Sequence, residues 1–256
     1  MFNFIKKINR NRKRLRNKNK EKSKRKLIIN SIKNNSIAQN FSTIYNTENY
    51  LSNLCELYGT DKGYVKFEKE TPYGWKPHSY SIFYSSLFSH CKDSIKLVFE
   101  CGIGSNYLDV ESNMSPNGKP GASLRVWKDY FTNAEIFGAD IDKRILFQEE
   151  RIKTFEVNQL DSSSIKEMWS KINYNNFDLI IDDGLHTHDA AVTFFFNSFE
   201  KLKKDGIYII EDVDLRDLND LKNSLNKFNP EVVILTNNYF DQYPINNNNL
   251  IVIRKN

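Results

Sequence analysis

The chain has 256 residues, enough for one well-packed domain with an appendage, and its 18 Phe and 13 Tyr supply burial area that offsets an apolar fraction of only 39%, so a globular core is expected. The net charge of +5 conceals an asymmetry, because residues 1 to 30 carry 13 Lys or Arg against the single acid Glu21, leaving 24 bases and 31 acids elsewhere. A body about seven units negative is a poor partner for nucleic acid, three cysteines without paired spacing argue for a reducing compartment, and no apolar run approaches the ~18 residues of a membrane span.

Residues 1 to 40 are mostly Lys, Arg and Asn, with Leu15 the one large apolar residue between Ile8 and Leu27, so this arm is expected to be disordered or a solvated helix. Phe2, Phe4, Ile5 and Ile8 beside a polybasic run suit weak contact of residues 1 to 26 with an anionic membrane, from the cytoplasmic side. Residues 41 to 95 form a second segment, with helices expected at Thr47 to Tyr58 and Tyr80 to His90, that covers part of the site. From residue 96 to 256 apolar runs of strand length alternate with helical patterns: Leu97–Cys101, Glu135–Ala139, Thr154–Val157, Phe177–Ile181, Ile207–Ile210, Val232–Leu235 and Leu250–Ile253. The alternation predicts an α/β fold, a mostly parallel seven-stranded sheet with helices on both faces, and an antiparallel last strand because Thr236 to Asn249 lacks a clear helix.

Chemistry is expected at the carboxyl ends of these strands. After the first strand, Gly102 and Gly104 of the run ECGIG allow a tight turn and a close ligand, but Tyr107 stands where a dinucleotide fingerprint needs its third glycine. The preceding Glu100 suits a ligand bearing an amino group, such as the methionine end of S-adenosylmethionine. Asp140, ending the second strand, is placed to accept hydrogen bonds from ribose hydroxyls, whereas Asp142 equally suits a cap on a helix beginning near Lys143. Asn158 and Gln159 fall near the adenine, and Asp182 at the fourth strand end joins this cofactor set. Together they point to a Rossmann-like class I methyltransferase.

The fourth strand runs into IIDDGLHTHD, and the fifth ends in Glu211-Asp212. Asp183, Glu211 and Asp212 can converge if the two strands are neighbours, and three carboxylates with no lysine between them call for a hard cation, Mg²⁺ first and Mn²⁺ or Ca²⁺ next. His186 could face the same cleft as a general base, while His188 is expected at a helix start facing solvent.

The runs FDLIIDDGLHTHDA, LKKDGIYIIEDV, ECGIG, GASLRVWKDYF, IFGADID and VNQLD, with Gly59-Thr60-Asp61-Lys62-Gly63 and His78-Ser79-Tyr80 upstream, resemble the metal-dependent sugar O-methyltransferases of the macrocin and mycinamicin type over residues 50 to 255. The resemblance implies Mg²⁺ on Asp183, Glu211 and Asp212, His186 as base, S-adenosylmethionine as methyl donor, and a sugar hydroxyl as acceptor on a sugar nucleotide, a surface glycan precursor or a glycosylated natural product, in a chain that can form a homo-oligomer. Asn158 departs from the Asp usual in that family. Three rival readings remain open: a nucleic-acid methyltransferase anchored by the basic arm, although Asp182-Asp183-Gly184 is not the Asn/Asp-Pro-Pro-aromatic run of base-amino methylation, a non-catalytic membrane-associated scaffold, and a cofactor-retaining hydroxylase-like relative.

Overall fold

A computed structural model describes residues 38–39, 49–63, 72, 73, 75, 77–235 and 247–256. Nearly all of the basic arm, the helix start at Thr47 and most of the 236–249 connection therefore lie outside the described residues. No helix among the described residues is long and apolar enough to cross a membrane.

The strands are β1 (Ala38–Gln39), β2 (Leu97–Cys101), β3 (Glu135–Asp140), β4 (Gln148–Glu149), β5 (Ile152–Glu156), β6 (Phe177–Asp182), β7 (Leu202–Ile210), β8 (Glu231–Ile234) and β9 (Asn249–Arg254). They make one sheet in the order β1-β8-β9-β7-β6-β2-β3-β5-β4. The seven expected strands are all present, and two strands of two residues each, β1 and β4, extend the edges to nine. Pairing is parallel from β7 through β6, β2 and β3 to β5, and β9 inserts antiparallel to both β7 and β8. The fifth expected strand begins earlier than its apolar run, at Leu202, because Leu202 pairs with Phe177 before an irregularity in register, where Asp205 takes left-handed backbone at φ 63° and the ladder resumes at Ile207.

The helices are α1 (Tyr50–Tyr58), α2 (Tyr80–Phe88), α3 (Ala122–Tyr130), α4 (Ser162–Ile172), α5 (His188–Ser198) and α6 (Leu218–Ser224). Caps fix several ends. In α1 the Asn49 side chain accepts from Ser52 N–H while Ser52 Oγ accepts from Asn49 N–H, both at 2.9 Å, and Gly59 closes the helix at φ 80°. Asp161 caps α4, accepting from Ser163 N–H at 2.8 Å. The helix expected near Lys143 is a single 3₁₀ turn, Lys143–Ile145, with Asp142 as its cap.

Side chains on successive strand residues point to opposite faces, which divides the core in two. Phe99 and Phe137 pack with Trp169 of α4 and Phe194 of α5, while Val98 and Ile136 pack on the other face with Trp127 of α3 and Tyr84 of α2. Phe99 lies 4.6 Å from the Trp169 ring and 5.9 Å from Phe194. The charged residues of the site gather where β2, β3, β6 and β7 emerge from this core.

Candidate active site

Backbone hydrogen bonds continue past the ladder and carry the strand ends together. Gly102 N–H reaches Ala139 O at 2.8 Å, Asp183 N–H reaches Cys101 O at 2.8 Å, and Glu211 N–H reaches Asp182 O at 2.9 Å. Gly102 has φ 85°, and a Cβ there would stand 2.0 Å from Asp183 O, so the close passage of these two strand ends requires glycine.

Above them opens a cleft of about 610 Å³, lined by Gly102, Gly104, Asp140, Asn158, Gln159 and Asp183 among others. Six of the residues singled out from sequence thus share one cavity. Asp140 has a structural duty as well: its carboxylate accepts from Ile103 N–H at 2.9 Å and Asp142 N–H at 3.0 Å, which ties the glycine turn to β3, and burial raises its pKa. Gln159 bridges the floor, donating to Asp182 Oδ1 at 2.5 Å and accepting from Leu185 N–H at 2.8 Å. Asp182 is 3% exposed, keeps one buried oxygen without a hydrogen bond, and is pushed up to about 7 by burial.

Glu100 does not line this cleft. It is fully buried, and its carboxylate accepts from Trp127 Nε1 and lies 3.4 Å from Lys62 Nζ. The alternation of β2 turns residue 100 onto the α3 face, against Trp127.

Lys62 changes the electrostatic argument drawn from the sequence. The acids were expected to have no lysine among them, yet Lys62, 2% exposed, sits 2.6 Å from Asp183 Oδ2 and bonds Glu211 Oε2. Burial alone would discharge this lysine, but Asp183, Glu100 and Glu211 outweigh it and hold its pKa well above the ordinary value. Glu211 commits its other oxygen to Tyr84 OH at 2.5 Å, and burial still raises its pKa.

Asp212, in left-handed backbone at φ 54°, faces a different set. Its Oδ1 accepts from Tyr80 OH at 2.7 Å and pairs with His78 Nδ1 at 2.5 Å, and its Oδ2 lies 3.2 Å from His186 Nδ1. Burial works against the charge of His78, but the adjacent Asp212 carboxylate outweighs it and raises the imidazole to about 9. His78 and His186 in turn hold Asp212 below the usual carboxylate range despite its burial. His186 Nε2 is 3.8 Å from Asp183 Oδ1, so His186 stands between the two aspartates. Asp183, His186 and Asp212 offer ligand atoms all within 4.8 Å of one another.

Asp183, Glu211 and Asp212 thus converge, but through intermediaries: Lys62 joins Asp183 to Glu211, and His186 joins Asp183 to Asp212. Counting Glu100, full ionisation of the four carboxyl groups against Lys62 and protonated His78 would leave a formal charge of about −2, which burial opposes by raising the pKa of both Asp183 and Glu211 and which a bound cation would favour. Lys62, His78, Tyr80 and Tyr84 received no role from sequence, although the runs Gly59–Gly63 and His78–Tyr80 contain three of them. His188 begins α5 as expected, its Nδ1 3.0 Å from Asp189 and Nε2 2.9 Å from Ser224.

The strand order, the glycine turn after β2 and the acids at the ends of β3, β6 and β7 define the Rossmann-like fold of class I methyltransferases. No family model matches the chain. Over 163 residues it is 31% identical to the 8-demethyl-8-alpha-L-rhamnosyl tetracenomycin-C 2'-O-methyltransferase of Streptomyces olivaceus, a match covering 64% of this chain and 37% of the relative. It is also 32% identical over 143 residues to demethylmacrocin O-methyltransferase of Streptomyces fradiae, covering 56% and 34% respectively. The chain therefore spans little more than a third of the length of these curated relatives. Among solved structures, the MycE methyltransferase of the mycinamycin biosynthetic pathway, in complex with Mg and SAH, superposes with a TM-score of 0.55 at 23% identity, covering 81% of this chain and 55% of that one. The chain is thus similar in sequence to sugar O-methyltransferases of the macrocin and mycinamicin type, and shares its fold with a structure of that type.

Proposed function

We propose that this protein is an S-adenosylmethionine- and Mg²⁺-dependent O-methyltransferase acting on a sugar hydroxyl. The observation that carries the reading is the junction of two sites at Asp183, which lines the glycine-floored cleft and belongs to the Asp183–His186–Asp212 cluster at its rim. Similarity to enzymes named for 2'-, 2''- and 3-O-methylation of sugars supports the acceptor class.

The residues fit a methyl donor and a divalent ion. Gly102 and Gly104, both in left-handed backbone, turn the chain at the floor of the cleft that Asp140, Asn158 and Gln159 also line, and on this reading Asp140 would accept from the ribose hydroxyls. Asp183 and Asp212 would hold the ion, joined by Glu211 where Lys62 and Tyr84 release it, and the formal charge of about −2 at full ionisation suits a hard divalent cation, Mg²⁺ before Mn²⁺. Such an ion lowers the pKa of a bound hydroxyl and orients it. His186, partly exposed beside these acids, is placed to take the hydroxyl proton, and Asp212 stabilises the imidazolium that results. Tyr80 and His78 orient Asp212 from behind.

Residues 41–95 serve as the cover that delivers Lys62, His78 and Tyr80 to the 96–256 core. Residues 1–26 make weak electrostatic contact with anionic membrane at its cytoplasmic face, which sedimentation with phosphatidylserine vesicles of full-length and 41–256 protein tests. The function itself is tested by incubating the protein with S-adenosylmethionine, Mg²⁺ and a panel of sugar nucleotides and glycosylated macrolides, followed by mass spectrometry. A gain of one methyl group on a sugar is expected. No methylated product together with no heat on titrating S-adenosylhomocysteine would overturn the assignment.

A further inference from the structure

The chain between β2 and α3 makes an excursion whose neck is closed by backbone hydrogen bonds from Met114 N–H to Ser105 O and from Gly121 N–H to Ile103 O, both 2.7 Å. Its tip, residues 107–112, supplies Asp109, Val110, Glu111 and Ser112 to one wall of the cleft. Within the tip the bonds are local, Val110 N–H to Tyr107 O at 3.2 Å and Asn113 Nδ2 to Val110 O at 2.9 Å. Leu108 is 72% exposed, so apolar burial does not anchor the tip.

Among the described residues, the side-chain ties from this tip to another element all end on Arg144. Its Nη1 and Nη2 donate to the two Asp109 oxygens at 3.1 and 3.0 Å, and its guanidinium carbon lies 3.9 Å from the centre of the Tyr107 ring. The other side of the same guanidinium is fixed to the end of β3, with Nε donating to Asp142 Oδ1 at 2.7 Å and Nη2 to Oδ2 at 3.0 Å. Ser105 Oγ holds Asp142 from the neck of the loop at 2.6 Å. Arg144 also lines the cleft itself.

We propose that Arg144 is the latch of a lid over the cofactor cleft: it stays on Asp142 while releasing Asp109 and Tyr107, and the 107–112 tip opens to exchange cofactor for product. The inference rests on reading the cleft as the S-adenosylmethionine site. The two halves of the grip differ as a latch requires. Asp142 is almost completely buried beneath Arg144, whereas the Asp109 side chain is 69% exposed and the Arg144 side chain 43% exposed, so the tip side is screened and easily reversed. A forked pair that is planar and stacked on an aromatic ring is arginine's geometry and not lysine's.

An exposed forked pair plus a cation–π contact biases closure by roughly 5- to 30-fold. The test compares ligand-free hydrogen exchange of wild type, Arg144→Ala, Arg144→Lys and Asp109→Asn, then the dissociation rate of S-adenosylhomocysteine from each by stopped flow. Expected are loss of protection confined to residues 106–113, with β2, β3 and α3 unchanged, and roughly 5- to 30-fold faster release in Arg144→Ala and Asp109→Asn. Arg144→Lys should restore little of either. Wild-type exchange at the tip of ligand-free Arg144→Ala, or a wild-type release rate, overturns the latch. Failure of wild-type protein to bind S-adenosylhomocysteine removes the function assigned to the cleft, and the ligand-free exchange comparison then decides the latch by itself.

Discussion

Lys62→Met removes the buried ammonium that, among the described residues, pairs with Glu100, Asp183 and Glu211, while keeping most of its volume. At an effective dielectric of about 20, charges ~3 to 4 Å apart attract by roughly 4 to 5 kcal/mol, so the three contacts are worth more than ~10 kcal/mol before the cost of burying the lysine is subtracted. Breaking a buried ion pair from one side costs about 3–5 kcal/mol net, because the carboxylates left behind are uncompensated. For a domain of this size each kcal/mol moves the melting temperature by roughly 2–4 °C, giving a loss of about 6–20 °C. The pH dependence has a definite sign. Lys62 has a folded pKa raised above its unfolded value, so its contribution is complete below about 10 and is lost only as pH rises through the folded value. In the variant, the buried acids can take up protons at low pH but must stay charged at high pH, so the deficit should be larger at pH 8 than at pH 5. Thermal unfolding by circular dichroism in the presence of chelator measures both. A melting temperature at pH 8 within about 2 °C of wild type, or a deficit larger at pH 5, would refute the account of Lys62 as the internal counterion.

His186→Ala should lower turnover roughly 10²- to 10⁴-fold while isothermal titration still detects Mg²⁺, and concurrent loss of Mg²⁺ binding would make the histidine a ligand instead of a base. Excess chelator should abolish methyl transfer by the wild-type enzyme, with Mg²⁺ restoring it. Gly102→Ala places a Cβ 2.0 Å from Asp183 O in left-handed backbone, so S-adenosylhomocysteine binding should be lost and stability reduced by roughly 1–3 kcal/mol; wild-type affinity by calorimetry would contradict this. The Arg144 hydrogen bonds hold Asp142 down to about 2, so its contribution to stability is present above pH ~4 and lost as pH falls through about 2. Asp142→Asn should therefore flatten the acid limb of urea stability between pH 4 and 2 and leave its shape unchanged between pH 6 and 8.

Much of the fold was legible because it depends on local and periodic signals. Apolar runs such as LVFEC and FDLIID with helical patterns between them favour parallel strands, and parallel pairing puts their carboxyl ends on one side of the sheet. The same logic placed Gly102, Asp140 and Asp183 around one cleft, since each directly follows or ends a strand. The short edge strands β1 and β4 carried no such signal, because two residues have no period to read.

What the sequence could not supply was the pairing of charges. Asp183, Glu211 and Asp212 can be read as converging if their strands are neighbours, but the ammonium that Asp183 and Glu211 meet comes from the segment before the sheet, where Lys62 lies 121 residues from Asp183 and 149 from Glu211. Tyr80 reaches Asp212 across 132 residues. Glu100 was assigned to the ligand by its place before the glycines, yet the pleat of β2 turned it inward to Trp127 and Lys62. Sequence spacing fixes which strand end a carboxylate occupies, whereas its ionisation is set by burial and by charges within a few ångströms, and those are brought together only when the N-terminal segment packs over the sheet.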